Sequence, residues 1–566
     1  MSLAAIVLTV LACFAVAYTV YGRLLSRLFG LDAHKATPAH SCSDGEDFVP
    51  TKKFYLLSQH FSAISAAGPI AGPILAASMF GWEPALWWIV LGCIFIGSMH
   101  DFAALVGSVR HGALSIAELL HKNLNTRSGR AFTAYIWLAL VYVIIAFTDV
   151  TARAFVELLD VALPNAEQGR VEIHGAEVAS SSMMYLVVSL LMGLATRYLR
   201  WPLWLSTLVF VPLVAFAIWL GEHVPFHFTA PGDVPSMYWA WLILGYCAIA
   251  SMLPVWLLLQ PRGYLGGFFL YITLLGGLVG LLISNPEIRW PSFTAFEPKP
   301  GMPLVPFLFI TIACGACSGF HGLVCSGTTS KQIDKEPDTH AVGYGAMLLE
   351  GVVAVLALSC VMTLAPDAAL AKQPPDKIFG VGIGTFLQQL GVPLQFAVTF
   401  GMLAFATFVY DTLDVATRLA RYLFTEVTGW KSRLGSAVGT IASLALPFWF
   451  VAQTARDEKG ALIPAYKVIW PLFGSTNQLL AGLTLIGLVL WLRREGKPKL
   501  LQTMVALPML FMMGSTIYAL VLQIGAAKDP VMQVVAIVLL ALAAWITFEA
   551  VVSVCSRRAP ASQSRA

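Results

Sequence analysis

The sequence predicts an all-α polytopic membrane protein of about 15 transmembrane helices, at least one of them broken. Two observations carry the class. The 566 residues are 58% hydrophobic and 12% charged, with a mean hydropathy of +0.76, far too apolar for a soluble multidomain chain. Runs long enough to span a bilayer recur along the whole length. A third observation gives the break: the run near 60–80 contains Gly68-Pro69-Ile70-Ala71-Gly72-Pro73.

The runs fall, in order, near 2–22, 60–80, 84–109, 131–160, 180–197, 202–220, 238–259, 265–283, 304–327, 341–364, 396–417, 434–453, 467–492, 501–523 and 531–554. The first reads as a retained span, because it lacks a basic leader and Arg23 and Arg27 follow it. Segments of about 20–35 residues are the longest connections, too short for an independent core.

Basic residues alternate with the runs. One set of connections holds Arg23, Arg27, Lys35, Lys52 and Lys53; Arg110, Lys122, Arg127 and Arg130; and Arg197, Arg200 and Arg262. It continues with Lys331 and Lys335; Arg418, Arg421, Lys431 and Arg433; Arg493, Arg494, Lys497 and Lys499; and Arg557 and Arg558. The other set is poor in them, and 221–236 and the stretch around Glu172 and Glu177 are acidic or nearly uncharged. The positive-inside rule then puts the N-terminus outside and the C-terminus in the cytoplasm. The net charge of +4 comes from these anchors and implies no nucleic-acid partner.

In the broken run, Pro69 and Pro73 lack amide hydrogens and clash with carbonyls four residues back, so a regular helix is not expected to pass through. Hydrocarbon tolerates freed backbone only where protein or a cavity surrounds it, and secondary transporters use such breaks to hold substrate and ions. A simple proline kink is the alternative. A second break is expected at Pro254 in the seventh run. The first and sixth helices of a ten-helix unit starting at the second run would then be interrupted, as in a five-plus-five inverted repeat.

An unpaired ionisable residue within a span costs at least about 2.5–3.5 kcal/mol, so each is a functional candidate. Glu350, mid-span in the tenth run, suits reversible protonation; its alternative is a structural acid bonded to a neighbouring helix. His60 enters the broken run and could gate or relay a proton. Asp149 and Arg153 share a helix face and can pair, as can Asp414 and Arg418, which leaves Asp411 over. His100 and Asp101 are about 100° apart on a helix and are read as helix anchors rather than a direct dyad. The ninth run carries Cys314, Ser318, Gly319, His321, Gly322, Ser326, Thr328 and Thr329. Its glycines allow close helix approach, and its hydroxyls fit an ion or carboxylate site. In the thirteenth run Asn477 and Gln478 are expected to bond other helices. Cys314 and Cys317 are three apart on an apolar helix with no second cysteine pair, so no metal site is expected. The other cysteines within spans read as small hydrophobes.

Together these segments resemble the carbon starvation protein A (CstA) family over nearly the whole chain. The resemblance rests on Asp47-Phe-Val-Pro-Thr51, His60-Phe61 through Pro73, Asp101-Phe102, Pro261-Arg262-Gly-Tyr-Leu265, Ser318-Gly-Phe-His321 and Ser326-Gly-Thr-Thr329. Gly343 through Glu350, Thr412-Leu-Asp414-Val-Ala-Thr-Arg418, and Leu472-Phe-Gly474 through Asn477-Gln478 extend it. Gly263 departs from the family's Pro-Arg-Asp-Tyr-Leu and removes an acid. The resemblance implies an inner-membrane secondary transporter of the amino acid–polyamine–cation type, associated with uptake of pyruvate or small peptides during nutrient limitation. It implies an extra N-terminal helix (1–22), a transporter core (54–425), a C-terminal membrane region (434–555) and a cytoplasmic tail (556–566).

The expected activity is proton symport of a small carboxylate, pyruvate first. Gly68, Pro69, Gly72, Pro73, Ser318, His321, Thr328 and Thr329 would contact substrate or ion, and Glu350, His60, His321 or Asp411 would carry the proton. No cofactor is expected; the coupling ion is H+, with Na+ the alternative. The partners are a small-molecule substrate and the bilayer, and the sequence gives no oligomeric state. A peptide transporter is the close rival, and a membrane nutrient sensor is the rival of another class. No nucleophile or metal-ligand spacing points to an enzyme.

Overall fold

The computed structural model describes residues 2–123, 126–163, 170–226, 235–430, 432–452, 455–456, 462–463, 465–526 and 530–555. Lys431, part of the 221–236 connection and the 556–566 tail lie outside the described residues. Among the described residues, twelve helices are long and apolar enough to cross a bilayer, and the bent pair Lys53–Ile64 with Gly68–Phe80 makes a thirteenth. The seventh expected run is a shorter helix, Ser236–Met252. The ninth is a staircase of short helices, Leu304–Thr311, Ala313–Ala316 and Gly319–Val324, followed by a wide turn at Cys325–Thr329. Hydropathy counts apolar residues, whereas a span count also needs continuous helix, so the sequence total of 15 is not a count of full-length helices.

Burial sorts the helices into a core and a lipid-facing ring. The most apolar windows of Leu394–Thr428 and Leu472–Arg494 are 94% buried and those of Trp82–Arg110 and His340–Met362 are 89% buried, while Leu203–His223 and Gln533–Val552 reach only 28%. Without water to hide from, lipid-facing helices keep Leu, Ile, Phe and Trp outward, as Trp204, Leu208 and Phe548 do. The N-terminal helix runs to Phe29, beyond the expected 22, and stops where Gly30 turns left-handed (φ 64°) and donates its amide to the Ser26 and Arg27 carbonyls.

Two further elements were not expected from the sequence. Helix Pro375–Gln388 is largely buried against Leu394–Thr428, with Gly384 facing Val398 and Gly380 facing Met402. Its three glycines in five residues and its short length hide it from a hydropathy window. A hairpin pairs Leu159–Ala162 with Arg170–Ile173, in register Leu159 opposite Ile173.

The breaks differ from the expectation. The helix gives way at Ser65–Ala67, not through Gly68–Pro73. Pro69 occupies the first turn of the second half-helix, where an amide hydrogen would be unpaired anyway, and Pro73 is carried inside it. The two halves meet at 43°. Pro254 is no mid-span break: it lies in the turn between Ser236–Met252 and Leu259–Ser284. The second interruption is in the ninth run, at Ile312 and again at Cys317–Ser318, where the backbone becomes extended. The two broken segments touch. A Cβ on Gly68 would lie 2.4 Å from Cys314 Cβ and Sγ, and one on Gly72 would lie 2.7 Å from the Thr311 carbonyl.

Candidate functional site

Beside the interlocked breaks, four ionisable side chains form a line, each at most 1% exposed. His100 Nδ1 is 2.8 Å from Asp101 Oδ1, and His321 Nδ1 is 3.0 Å from Asp101 Oδ2. His321 Nε2 then lies 3.2 Å from Glu350 Oε2, close in distance but out of line for a hydrogen bond. Trp82–Arg110 supplies the first two residues, the staircase supplies His321 and His340–Met362 supplies Glu350. An ionised carboxylate can only accept, so with Asp101 charged both imidazoles hold a proton on Nδ1. Neutral His321 therefore offers a bare Nε2 toward Glu350, and one proton can reside on either. Both Glu350 oxygens are otherwise without a hydrogen-bond partner.

This overturns the reading of His100 and Asp101. Their 100° separation describes where the Cα–Cβ bonds point, and the imidazole still reaches the neighbouring carboxylate. Asp101, taken as a helix anchor, is the bridge of the chain. Its signal was an acid and a histidine side by side within an apolar run.

The remaining candidates do not form one cluster. His60 Nδ1 bonds Thr329 Oγ1 at 2.8 Å, and its Nε2 is 3.8 Å from Cys325 Sγ. Thr328 turns its hydroxyl onto its own helix, to Val324 O at 3.1 Å. Ser318 Oγ faces Asn477, whose Oδ1 also accepts the Phe320 amide at 2.9 Å and whose Nδ2 lies 3.2 Å from Cys314 Sγ. Asn477 thus caps the half-helix Gly319–Val324 from another span and occupies the spot an anion would take there. Arg153 Nε lies 3.3 Å from both Asp149 oxygens.

Asp414 and Arg418 do not pair. Asp414 bonds Arg262 and, at 2.7 Å, the Tyr246 hydroxyl. Arg418 turns to Asp47 at 3.3 Å and to the carbonyls of Ala250 (3.0 Å) and Leu253 (2.6 Å). Asp411, expected to be left over, lies 2.8 Å from Arg262 Nε and accepts from Ser62. Favourable i,i+4 spacing is worth only a few tenths of a kcal/mol, so burial against other helices chooses the partner. Arg262, Arg418 and Arg421 were counted as loop charges and are buried. The clue for Arg262 was a connection after Met252 too short to leave it outside the next helix.

A cleft of about 320 Å³, open to solvent, is lined by Ser115, Ser326, Lys331, Tyr422 and Glu426 among others. Among the described residues, no group of three or more His, Cys, Asp or Glu could hold a metal ion.

The model of the carbon starvation protein CstA family matches residues 2–380 and 365–519. The peptide transporter CstA of Helicobacter pylori (strain ATCC 700392 / 26695) is 31% identical over 587 residues, covering 92% of this chain and 82% of that protein. The pyruvate/proton symporter BtsT of Escherichia coli (strain K12) is 27% identical over 567 residues, covering 85% and 76%. A solved Eremococcus coleocola manganese transporter superposes over 90% of this chain and 99% of its own, at a TM-score of 0.44 and 14% identity, too low to support any inference. With the family model covering most of its length, the chain belongs to the carbon starvation protein CstA family and is a multi-pass membrane transporter.

Proposed function

We propose that this protein imports a small carboxylate, with pyruvate the first candidate, in symport with a proton. The observation that carries the reading is the buried chain His100–Asp101–His321–Glu350 beside the crossing of two broken spans. A carboxyl and a bare imidazole nitrogen 3.2 Å apart, away from water, can hold and pass one proton as the helices rock. The N-terminal turn at Gly68, which has no side-chain cap, would meet the substrate carboxylate, since helix N-termini favour anions. Asn477 already caps the other half-helix. His60, bonded to Thr329, would sense movement of the first half-helix against the staircase. One proton per monoanion moves no net charge, so the pH gradient drives this stoichiometry.

Peptide import is the second reading. It is favoured by relatives named peptide transporters at 29–32% identity, against 27% for the pyruvate symporter. The orientation with an external N-terminus, and the division into core (54–425) and C-terminal region (434–555), are part of the same proposal.

The test is uptake of labelled pyruvate into proteoliposomes under an inward pH gradient, then under a sodium gradient. Saturable pH-driven uptake that Glu350→Gln loses, while retaining pyruvate exchange at equal pH, supports the reading. Uptake driven by sodium alone overturns the proton. No pyruvate uptake, with dipeptide uptake in the same vesicles, overturns the carboxylate.

A further inference from the structure

On the far side of the first half-helix from His60 lies a second buried charge cluster, centred on Arg262. The side chains of Arg262, Asp411 and Asp414 are 1%, 5% and 4% exposed. Arg262 Nε is 2.8 Å from Asp411 Oδ1, and its Nη1 contacts Asp414 Oδ2 and, at 2.6 Å, the Tyr246 hydroxyl. Ser62 donates to Asp411 Oδ2. The rings of Tyr410 and Tyr246 lie 4.7 and 5.5 Å from the guanidinium carbon. Tyr185 donates to the Arg262 carbonyl.

Two carboxylates therefore share one guanidinium. Arginine does not deprotonate, so with both acids ionised the cluster keeps one uncompensated negative charge. The elements packed around it bring little to balance that charge. Lys53–Ile64 brings Ser62, Gly175–Tyr198 brings Tyr185, Ser236–Met252 brings Tyr246 and Cys247, and Leu394–Thr428 brings Tyr410. All of these are neutral near pH 7. Arg418, one turn beyond Asp414, contributes at a distance, but its guanidinium is held by Asp47 and two carbonyls. An uncompensated buried charge is strongly destabilising. A second observation locates the deficit: Asp414 Oδ1 is buried with no hydrogen-bond partner.

We propose that the Asp411–Arg262–Asp414 cluster is a binding site for one monovalent cation, a proton or Na+. The site is distinct from the Glu350–His321 pair and stands whichever substrate is carried. Its donors are carboxylate and hydroxyl oxygens, which suit either ion. Gly266 lets the helix Leu259–Ser284 close on the pair, since a Cβ there would lie 2.5 Å from both Asp411 Oδ2 and Ser62 Oγ. Its occupant would also hold the break: Ser62 is near the end of the first half-helix, and Thr412, next to Asp411, bonds the Ala63 carbonyl at 3.0 Å. Losing the cation would loosen the last turn before Ser65.

The test follows equilibrium unfolding of the purified full chain across pH 5–9 in choline, and across Na+ concentration at pH 8. Asp411→Asn and Asp414→Asn each leave one acid for the guanidinium and should fold without the cation. In the wild type, each tenfold increase in the bound cation beyond half-saturation should raise the folded-to-unfolded ratio about tenfold. That response should be missing in both variants. Loss confined to the pH series assigns a proton, and loss confined to the Na+ series assigns sodium. Equal responses in wild type and both variants overturn the site. Should neither variant fold, the wild type is assayed for ²²Na+ binding, and Glu350→Gln for the infrared carbonyl band of a remaining protonated carboxyl. Either signal supports the site, and absence of both overturns it.

Discussion

Gly68→Ala probes the interlock of the two broken spans. The added methyl would sit 2.4 Å from Cys314 Cβ and Sγ, whereas carbon contacts settle at about 3.5–4.0 Å, so the segments must part by roughly 1 Å. Overpacking on that scale costs about 1–3 kcal/mol, of which replacing glycine by alanine in a helix returns at most about 1 kcal/mol. The offending atoms belong to one side chain, so the repair is specific. Cys314→Ala removes Sγ and leaves Cβ at 2.4 Å, while Cys314→Gly removes both. In a double-mutant cycle read by unfolding of the purified protein, Gly68→Ala should couple to Cys314→Gly by about 1–3 kcal/mol and less to Cys314→Ala. Pyruvate uptake should fall in Gly68→Ala and recover with Cys314→Gly. Full stability and uptake in Gly68→Ala, or no coupling to Cys314→Gly, would refute the contact between the breaks as the pivot of the fold.

Three further outcomes are expected. Asn477→Ala removes the cap from the Phe320 amide and should cost about 0.5–2 kcal/mol, read by unfolding in the same buffer. Gly263→Asp places a Cβ 2.9 Å from Gln59 Cγ and 3.2 Å from its Cα; a loss of about 1–3 kcal/mol is expected, partly relieved by Gln59→Ala. Asp47 latches the 31–52 connection to Arg418. Burial raises its carboxyl, but Lys331, Arg418, the Tyr422 hydroxyl and Arg421 outweigh burial and hold it below the usual range. A lowered carboxyl stabilises the fold above its unfolded value of about 3.9 and loses that contribution as pH falls through the folded value. Asp47→Asn should therefore weaken the latch at pH 7 and match the wild type in strong acid. At about 1 kcal/mol for a partly exposed pair, the latch should slow maleimide labelling of buried Cys325 about fivefold at pH 7, read by mass mapping.

Much of the fold was legible because lipid imposes a simple rule. Each of the 15 apolar runs coincides with helical segments, since a span must satisfy its own backbone. The Gly-Pro repeat announced a break and missed its place by a few residues: Pro69 forbids the helix behind it and favours the helix ahead. The site was legible one residue at a time. Glu350, His321, His60 and Asp411 stand out as ionisable groups in apolar runs, and Asp149 reaches Arg153 within one helix. The mistaken pairings, Asp414 with Arg418 and Pro254 as the second break, came from judging contacts and continuity along the chain alone.

The sequence by itself determined the solvent, the helical class and the burial of Glu350, His321, His60 and Asp411 within apolar runs, because hydropathy and local spacing act within one helix. Only the tertiary structure decided which of them meet. Asp101 bridges His100 to His321, 220 residues away, and Arg262 is shared by Asp411 and Asp414 across 149 and 152. A buried charge takes whatever partner packing brings within about 3 Å, and packing depends on surfaces from distant segments, including the glycine faces that let the two broken spans touch.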